Sequence, residues 1–216
     1  MKRALGGMLL LWVMALATPA WAGSTQVTFE TRLYGLPIGR MVLANNSNGS
    51  SYAAKGHFQT TGLVGLLARV RFTMSARGVG DELERRSRSY SEDLDTGYRT
   101  AVASVEFGNG DRRIDPLTGL IAALLDRKAD AGCAFDGETF DGARTMTMRI
   151  RPAQEGANGD LSCSGTLTRI SGYSDEDMAD WVSFPFSIKY ERAGETLIVQ
   201  RADIETIHGK VALIRR

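Results

Sequence analysis

Chemistry in this chain would have to come from two histidines, two cysteines or a few clustered carboxylates. His57 falls in a strand-like stretch and His208 in a turn before the last such stretch. Neither stands in an HExxH helix or at another zinc-ligand spacing, and a zinc hydrolase needs more ligands than these. No G-x-S-x-G elbow, Walker A loop or Rossmann glycine pattern occurs. Asp95-Thr96-Gly97 matches the triplet of aspartic proteases, but it stands in a charged turn rather than behind an apolar strand. There is no second copy, so only a dimer of half-sites would complete the pair. The chain therefore reads as non-enzymatic, with no catalytic residue, metal site or cofactor expected.

Asp175, Glu176, Asp177 and Asp180 offer the oxygen donors that Ca²⁺ prefers. The simpler reading is a solvated helix start: Ser174-x-x-Asp177 has the form of a capping box, and carboxylates suit the positive end of a helix dipole. Arg85-Arg86-x-Arg88 and Arg112-Arg113 carry the charge to meet anionic lipid or lipopolysaccharide head groups, although water-facing strand and loop positions account for them equally well. Cys133 and Cys163 are an even count in what reads as an exported chain, which favours a disulfide. Closing that loop of about 30 residues would stabilise the fold by roughly 3–4 kcal/mol. Two free thiols, or half of a metal site, are the alternatives.

Export is written at the start. Met1-Lys2-Arg3 is basic, Met8 to Ala17 is apolar, and Ala20-Trp21-Ala22 puts small residues at a cleavage position. Residues 1–22 thus read as a signal peptide cleaved after Ala22, giving a periplasmic protein; an uncleaved N-terminal anchor is the rival. No cysteine follows the apolar run, which excludes a lipid-anchored lipoprotein. Residues 23–216 read as a single domain. Without Lys2 and Arg3 the 26 basic residues become 24 against 25 acidic, a net charge near −1 that argues against nucleic acid as a partner. No later run is long and apolar enough to span a bilayer as a helix, so membrane contact is expected to be at most peripheral.

The elements that must position any site are strands, with one exception. Asp115 to Asp130 scans as a helix, with Leu117, Leu120, Ile121, Leu124 and Leu125 on one stripe. Asp115 suits the N-cap and Pro116 the first position; Arg127 and Lys128 suit the negative end, and Gly132 can stop it. Its other face, Thr118, Gly119, Ala122 and Ala123, is small, which permits a close approach by a strand or a ligand.

Elsewhere apolar and polar residues alternate. Val27–Leu33, Arg40–Ala44, Tyr52–Thr60, Arg69–Arg77, Leu83–Ser91, Arg99–Phe107, Arg144–Arg151, Leu161–Ser171, Phe184–Tyr190, Leu197–Ile207 and Lys210–Ile214 all read as strands. Tyr34–Gly39, Asn45–Ser50, Glu92–Gly97 and Phe135-Asp136-Gly137 read as turns or loops. Gly62–Ala68 is apolar, either a short helical turn or a lip on the barrel. With no βαβ alternation, the expected fold is mainly β: a curled antiparallel sheet of ten or more strands, an open barrel or β-spiral, wrapped around one helix. Such a sheet encloses more space than an eight-stranded barrel fills with side chains. An apolar cavity is expected among Leu117, Leu120, Ile121 and Leu124 of the helix and Phe72, Met74, Met146, Met148 and Phe186 of the strands.

The order of the turns is itself informative. Tyr34-x-x-Pro37-x-Gly39, Thr61-Gly62-Leu63, Asp115-Pro116-Leu117-Thr118, Phe135-Asp136-Gly137, Cys163-x-Gly165 and Ile170-x-Gly172 together resemble the exported bacterial family called domain of unknown function 3108, from about residue 26 to 205. The resemblance implies a periplasmic, mostly-β envelope protein and carries over no catalytic residue. At the level of fold alone it is similar to periplasmic β-spiral envelope-integrity proteins and half-barrel lipoprotein chaperones, which implies an apolar binding interior. Two functions follow as expectations. One is binding of an acyl chain, lipid or lipoprotein tail inside the sheet. The other is a scaffold with a filled core that engages an envelope protein through loops or sheet edges.

Overall fold

Inward apolar and outward polar residues alternate along most of the chain, and each alternating run becomes a strand. The computed structural model describes residues 23–82, 84–98, 100–156 and 158–216. The expected signal peptide and cleavage site lie outside these, as do Leu83 and Arg99, the expected first residues of two strands. In chain order the elements are β1 (Gly23–Leu33), β2 (Leu36–Ser47), β3 (Ser51–Thr60), α1 (Gly62–Leu67), β4 (Arg71–Val79), β5 (Arg86–Asp95) and β6 (Thr100–Glu106). There follow α2 (Pro116–Leu124), β7 (Arg127–Lys128), β8 (Phe135–Phe140), β9 (Thr145–Glu155) and β10 (Leu161–Ser171). The chain ends with α3 (Asp175–Asp180), β11 (Ser183–Ala193), β12 (Thr196–Thr206) and β13 (Gly209–Arg215).

The strands form one antiparallel sheet in the order β6-β5-β4-β3-β2-β1-β13-β12-β11-β10-β9-β8, with the short β7 added beside β12. From Gly23 the path thus starts mid-sheet at β1, meanders to one edge at β6, crosses to the other edge at β8, and returns until β13 pairs with β1. The sheet is not closed, since β6 and β8 do not pair. Their edges are still brought together by side chains and the crossover. Phe107, just past β6, meets Phe140 of β8 edge to face with centroids 6.4 Å apart. Ile114 bridges to Thr139: its N–H donates to the Glu138 carbonyl at 2.9 Å, and the Phe140 N–H donates to the Ile114 carbonyl at 2.8 Å.

Alternating strand directions sort the connections to two ends. The β1–β2, β3–β4, β5–β6, β8–β9, β10–β11 and β12–β13 connections share one end, called the lower end; the others share the upper end.

The crossover carries α2. Asp115 caps it, accepting the Thr118 N–H at 2.8 Å, and Pro116 takes the first position as the sequence indicates. The helix is shorter than the expected 115–130. Contacts far away in sequence end it: the Asp126 carboxylate accepts the Val199 N–H at 3.1 Å and pairs with Arg215. Arg127 belongs to β7 rather than to the helix, and from there donates to the Ala122 carbonyl. Nor is α2 two-faced. Leu117, Thr118, Gly119, Ile121, Ala122, Ala123 and Leu124 are all buried, with neighbours on β2, β3, β4 and β8. Gly56 makes room for it: a Cβ there would lie 2.7 Å from Met74 Cε and 3.0 Å from Leu117 Cδ1.

Several expected turns are strand instead. The β1–β2 turn is only Tyr34-Gly35, with φ of 50° and 84°, the all-positive pattern of a type I′ hairpin, so Leu36 to Gly39 join β2. Asn45 to Ser47 also extend β2, and Asn45 is buried. Glu92 to Asp95 end β5, pairing with β6, and Phe135 to Phe140 pair with β9 throughout. In each case cross-strand hydrogen bonding overrides residues whose local preference is for turns. Gly62–Leu67 is a helix with no buried residue.

Candidate functional site

Between α2 and the lower parts of β8 to β13 lies an apolar cavity of about 260 Å³. That is somewhat below the usual range for ligand pockets, roughly 300–1,000 Å³. Its roof is Pro116, Leu120, Ala123 and Leu124 of α2. Pro116 and Leu120 are the only α2 residues that are not buried, and they sit one helical turn apart. An aliphatic side chain on an otherwise enclosed helix is left uncovered because it faces this space. The walls alternate inward along their strands: Met146 and Met148 of β9, Leu167 of β10, Phe186 and Ile188 of β11, Ala202 and Ile204 of β12, and Leu213 of β13.

Polar groups gather at the mouth. Asp141 and Arg144 belong to the β8–β9 connection and Tyr173 to the β10–β11 connection, so the cavity opens at the lower end. Asp141 holds its turn, accepting the backbone N–H of Ala143 at 2.8 Å and of Arg144 at 2.6 Å. The Arg144 guanidinium lies 5.6 Å from the Tyr173 ring centre and the Arg169 guanidinium 4.8 Å from it. Arg169 is tied to Asp177 at 3.7 Å; Arg144 has no ion-pair partner among the described residues. Burial raises the Tyr173 hydroxyl above its ordinary pKa. Asp203, on the rim, is held below the usual carboxylate range by its hydrogen bond from Arg201.

Of the nine residues nominated from sequence, Leu120, Leu124, Met146, Met148 and Phe186 line this cavity. Leu117, Ile121 and Met74 do not: they are fully buried in the core, Leu117 and Met74 against Gly56 of β3. Phe72 packs partly buried against that core, away from the cavity. Ile188 was within reach of the sequence, since it shares the Phe186 face of β11. Tyr173 and Arg144 were not, because two separate turns meet only in the folded chain.

The other candidate residues are absorbed by structure. Cys133 and Cys163 are joined, with Cα atoms 6.5 Å apart, tying the segment after α2 to β10. His57 lies on the outer face of β3, with ring nitrogens 3.2 Å from Thr73 Oγ1 and 3.3 Å from Gln59 Oε1. Asp95 accepts the Gly97 N–H at 2.8 Å, the contact of a turn. Ser174 caps α3 by accepting the Asp177 N–H at 3.1 Å. Arg113 is paired with Asp111 at 2.7 Å and stacks on Phe140, while Arg85 lies over Tyr52. No group of three or more His, Cys, Asp or Glu side chains is gathered as a metal would need, among the described residues.

A buried polar network holds the roof. Ser87 Oγ donates to Asp115 Oδ2 at 2.5 Å and accepts the Asp115 N–H at 2.8 Å. Thr118 Oγ1 donates to the same carboxylate at 2.6 Å, so the Tyr52 hydroxyl, 2.7 Å away, donates to Thr118. Asp115 is fully buried, and burial raises its pKa despite these bonds. At the other end of α2, Tyr190 donates its hydroxyl to the Ala123 carbonyl at 2.5 Å, and burial pushes its pKa up to about 12.

No family model, no curated protein and no solved structure matches this chain. The resemblance read from the turn motifs therefore rests on those motifs alone. Among the described residues no helix is long and apolar enough to cross a membrane.

Proposed function

We propose that this chain is a non-enzymatic envelope protein that holds the acyl chain of a lipid, fatty acid or lipoprotein tail in a sheet curled around α2. The observation that carries the reading is Leu120: the one leucine of α2 that is not fully buried lines an apolar cavity of about 260 Å³. Each methylene moved from water into such a space contributes about 0.8 kcal/mol, so a single chain of modest length would bind by burial alone. A volume below the usual ligand range favours one chain over two. Arg144, exposed at the mouth and without an ion-pair partner among the described residues, could meet a carboxylate or phosphate head group. Export with cleavage after Ala22, periplasmic residence and membership of the family named above belong to the same proposal; the disulfide is compatible with that compartment.

Native mass spectrometry of protein taken from a periplasmic extract tests this. The expected result is an adduct of amphiphile mass that is lost on delipidation and restored by a long-chain fatty acid. Protein that carries no adduct and fails to bind a fluorescent fatty acid would leave the scaffold reading instead. That reading has its own support in the unpaired edge of β6, where Val102 stands exposed.

A further inference from the structure

Among the described residues the exposed large apolar side chains are not scattered. Tyr34, Leu36, Leu63, Leu66, Leu67, Tyr98, Ile170, Trp181 and Ile207 are exposed, and each lies in or beside a lower-end connection; Val102 is only the third residue of β6 above that end. The same end holds the mouth of the cavity, at Arg144 and Tyr173. The strongest part of this rim is α1, whose Leu63, Leu66 and Leu67 are 79%, 83% and 83% exposed. They are not on a loose loop. The Gly65 N–H donates to Thr61 O at 3.1 Å, the Ala68 N–H to Val64 O at 2.7 Å, and the Thr60 hydroxyl ties down the Ala68 carbonyl at 2.8 Å. The fold thus holds three leucines out into solvent.

We infer that the lower end is a membrane-docking face that seats on anionic phospholipid through α1. Charge selects the occupant. α1 carries no charged residue, and it is flanked by Arg69 and by Arg40 on β2, both exposed and without an ion-pair partner among the described residues. Apolar side chains ringed by unpaired guanidiniums match an acyl layer beneath an anionic head-group layer. Tyr34 and Tyr98, exposed at the same end, are of a residue type that settles at that boundary. α3, which follows Tyr173 of the mouth, presents Asp175, Glu176 and Asp180, so the docked molecule leans onto α1 rather than onto α3. Docking rests on the acyl-carrier reading for its purpose but not for its geometry.

Flotation with phosphatidylcholine vesicles, with and without phosphatidylglycerol, tests the face on the whole protein. The wild type is expected to float with the anionic vesicles. A Leu66→Asp/Leu67→Asp variant should lose roughly tenfold or more of that binding, because apolar insertion carries it. Arg40→Glu/Arg69→Glu should lose the preference for anionic vesicles. None of these residues lines the cavity, so fluorescent fatty-acid binding in solution should be unchanged in both variants, and circular dichroism should show both folded. Docking is overturned if the wild type does not float, or if the leucine variant floats equally well. It is also overturned if that variant instead converts a dimer to a monomer on gel filtration, which would make the face a contact between copies. Loss of fatty-acid binding in the wild type, with flotation intact, would remove the acyl-carrier reading and leave the docking face standing.

Discussion

Arg215, the last residue of the last strand, grips the carboxylate of Asp126, the residue that turns the chain out of α2. Its Nη2 lies 2.8 Å from Oδ2, with a second contact from Nη1 to Oδ1. The same carboxylate accepts the N–H of Val199, which is fully buried. One side chain thereby fixes where the crossover leaves the helix and how β12 and β13 sit beneath it. Asp126→Ala should cost about 2–4 kcal/mol in urea unfolding, since it strands both a guanidinium and a buried N–H. Arg215→Ala should cost less, and the double variant should fall well short of the sum.

Asp115 gives the stability of the roof a pH dependence of known sign. Burial raises its pKa in the folded chain above the ordinary value, while the unfolded value is about 3.9. The folded state therefore holds its proton more tightly. The contribution of this group is complete below about pH 4 and declines as pH rises through the raised folded value. Asp115→Asn cannot ionise. It should cost roughly 1–2 kcal/mol at pH 4, from imperfect pairing with Ser87 and Thr118, and less at pH 7. Urea midpoints for both proteins across that range check it; a gap that widens with pH would contradict the assignment.

Much of this fold can be read from alternation. Phe72, Met74 and Ala76 of β4, or Phe184, Phe186 and Ile188 of β11, fix one face of a strand without reference to anything else. What alternation cannot tell is which enclosed face meets solid packing and which meets space. Leu117 and Leu120 sit on the same sequence stripe, yet Gly56 lets Leu117 press into β3 while Leu120 is left facing the cavity. The end of α2 was hidden for a similar reason: the residues that stop it pair with partners in β12 and β13. α1 is the converse case, since an apolar run reads the same whether it is buried or held outside.

Gly56 deserves a direct test because it sets how closely α2 approaches the sheet. Gly56→Ala would place its methyl against Met74 Cε and Leu117 Cδ1, the ends of two side chains that are themselves buried. Overpacking of this kind costs about 1–3 kcal/mol. Thermal melts should show the loss. Fatty-acid binding should persist, because neither Gly56 nor Met74 nor Leu117 lines the cavity.

Reduction should weaken the protein without dissolving its sheet. The Cys133–Cys163 bond closes a loop of 30 residues between the end of the crossover and β10. Cys133→Ser/Cys163→Ser is expected to lose about 2–4 kcal/mol. Before reduction neither thiol of the folded wild type should react with iodoacetamide, and intact mass should show two additions only after dithiothreitol and denaturant.

The sharpest test of the cavity fills it. Leu120 is half-buried at the cavity wall, so a larger side chain there has space to enter, unlike one at the fully buried Leu117 or Ile121. Leu120→Trp should take up much of the roughly 260 Å³ and leave stability unchanged or slightly higher. If an acyl chain lies beneath α2, fluorescent fatty-acid binding should fall by about tenfold or more, since several methylenes at ~0.8 kcal/mol each lose their place. Leu120→Ala enlarges the same space and should not weaken binding. A tryptophan variant that binds as tightly as the wild type would put the acyl chain elsewhere, or nowhere.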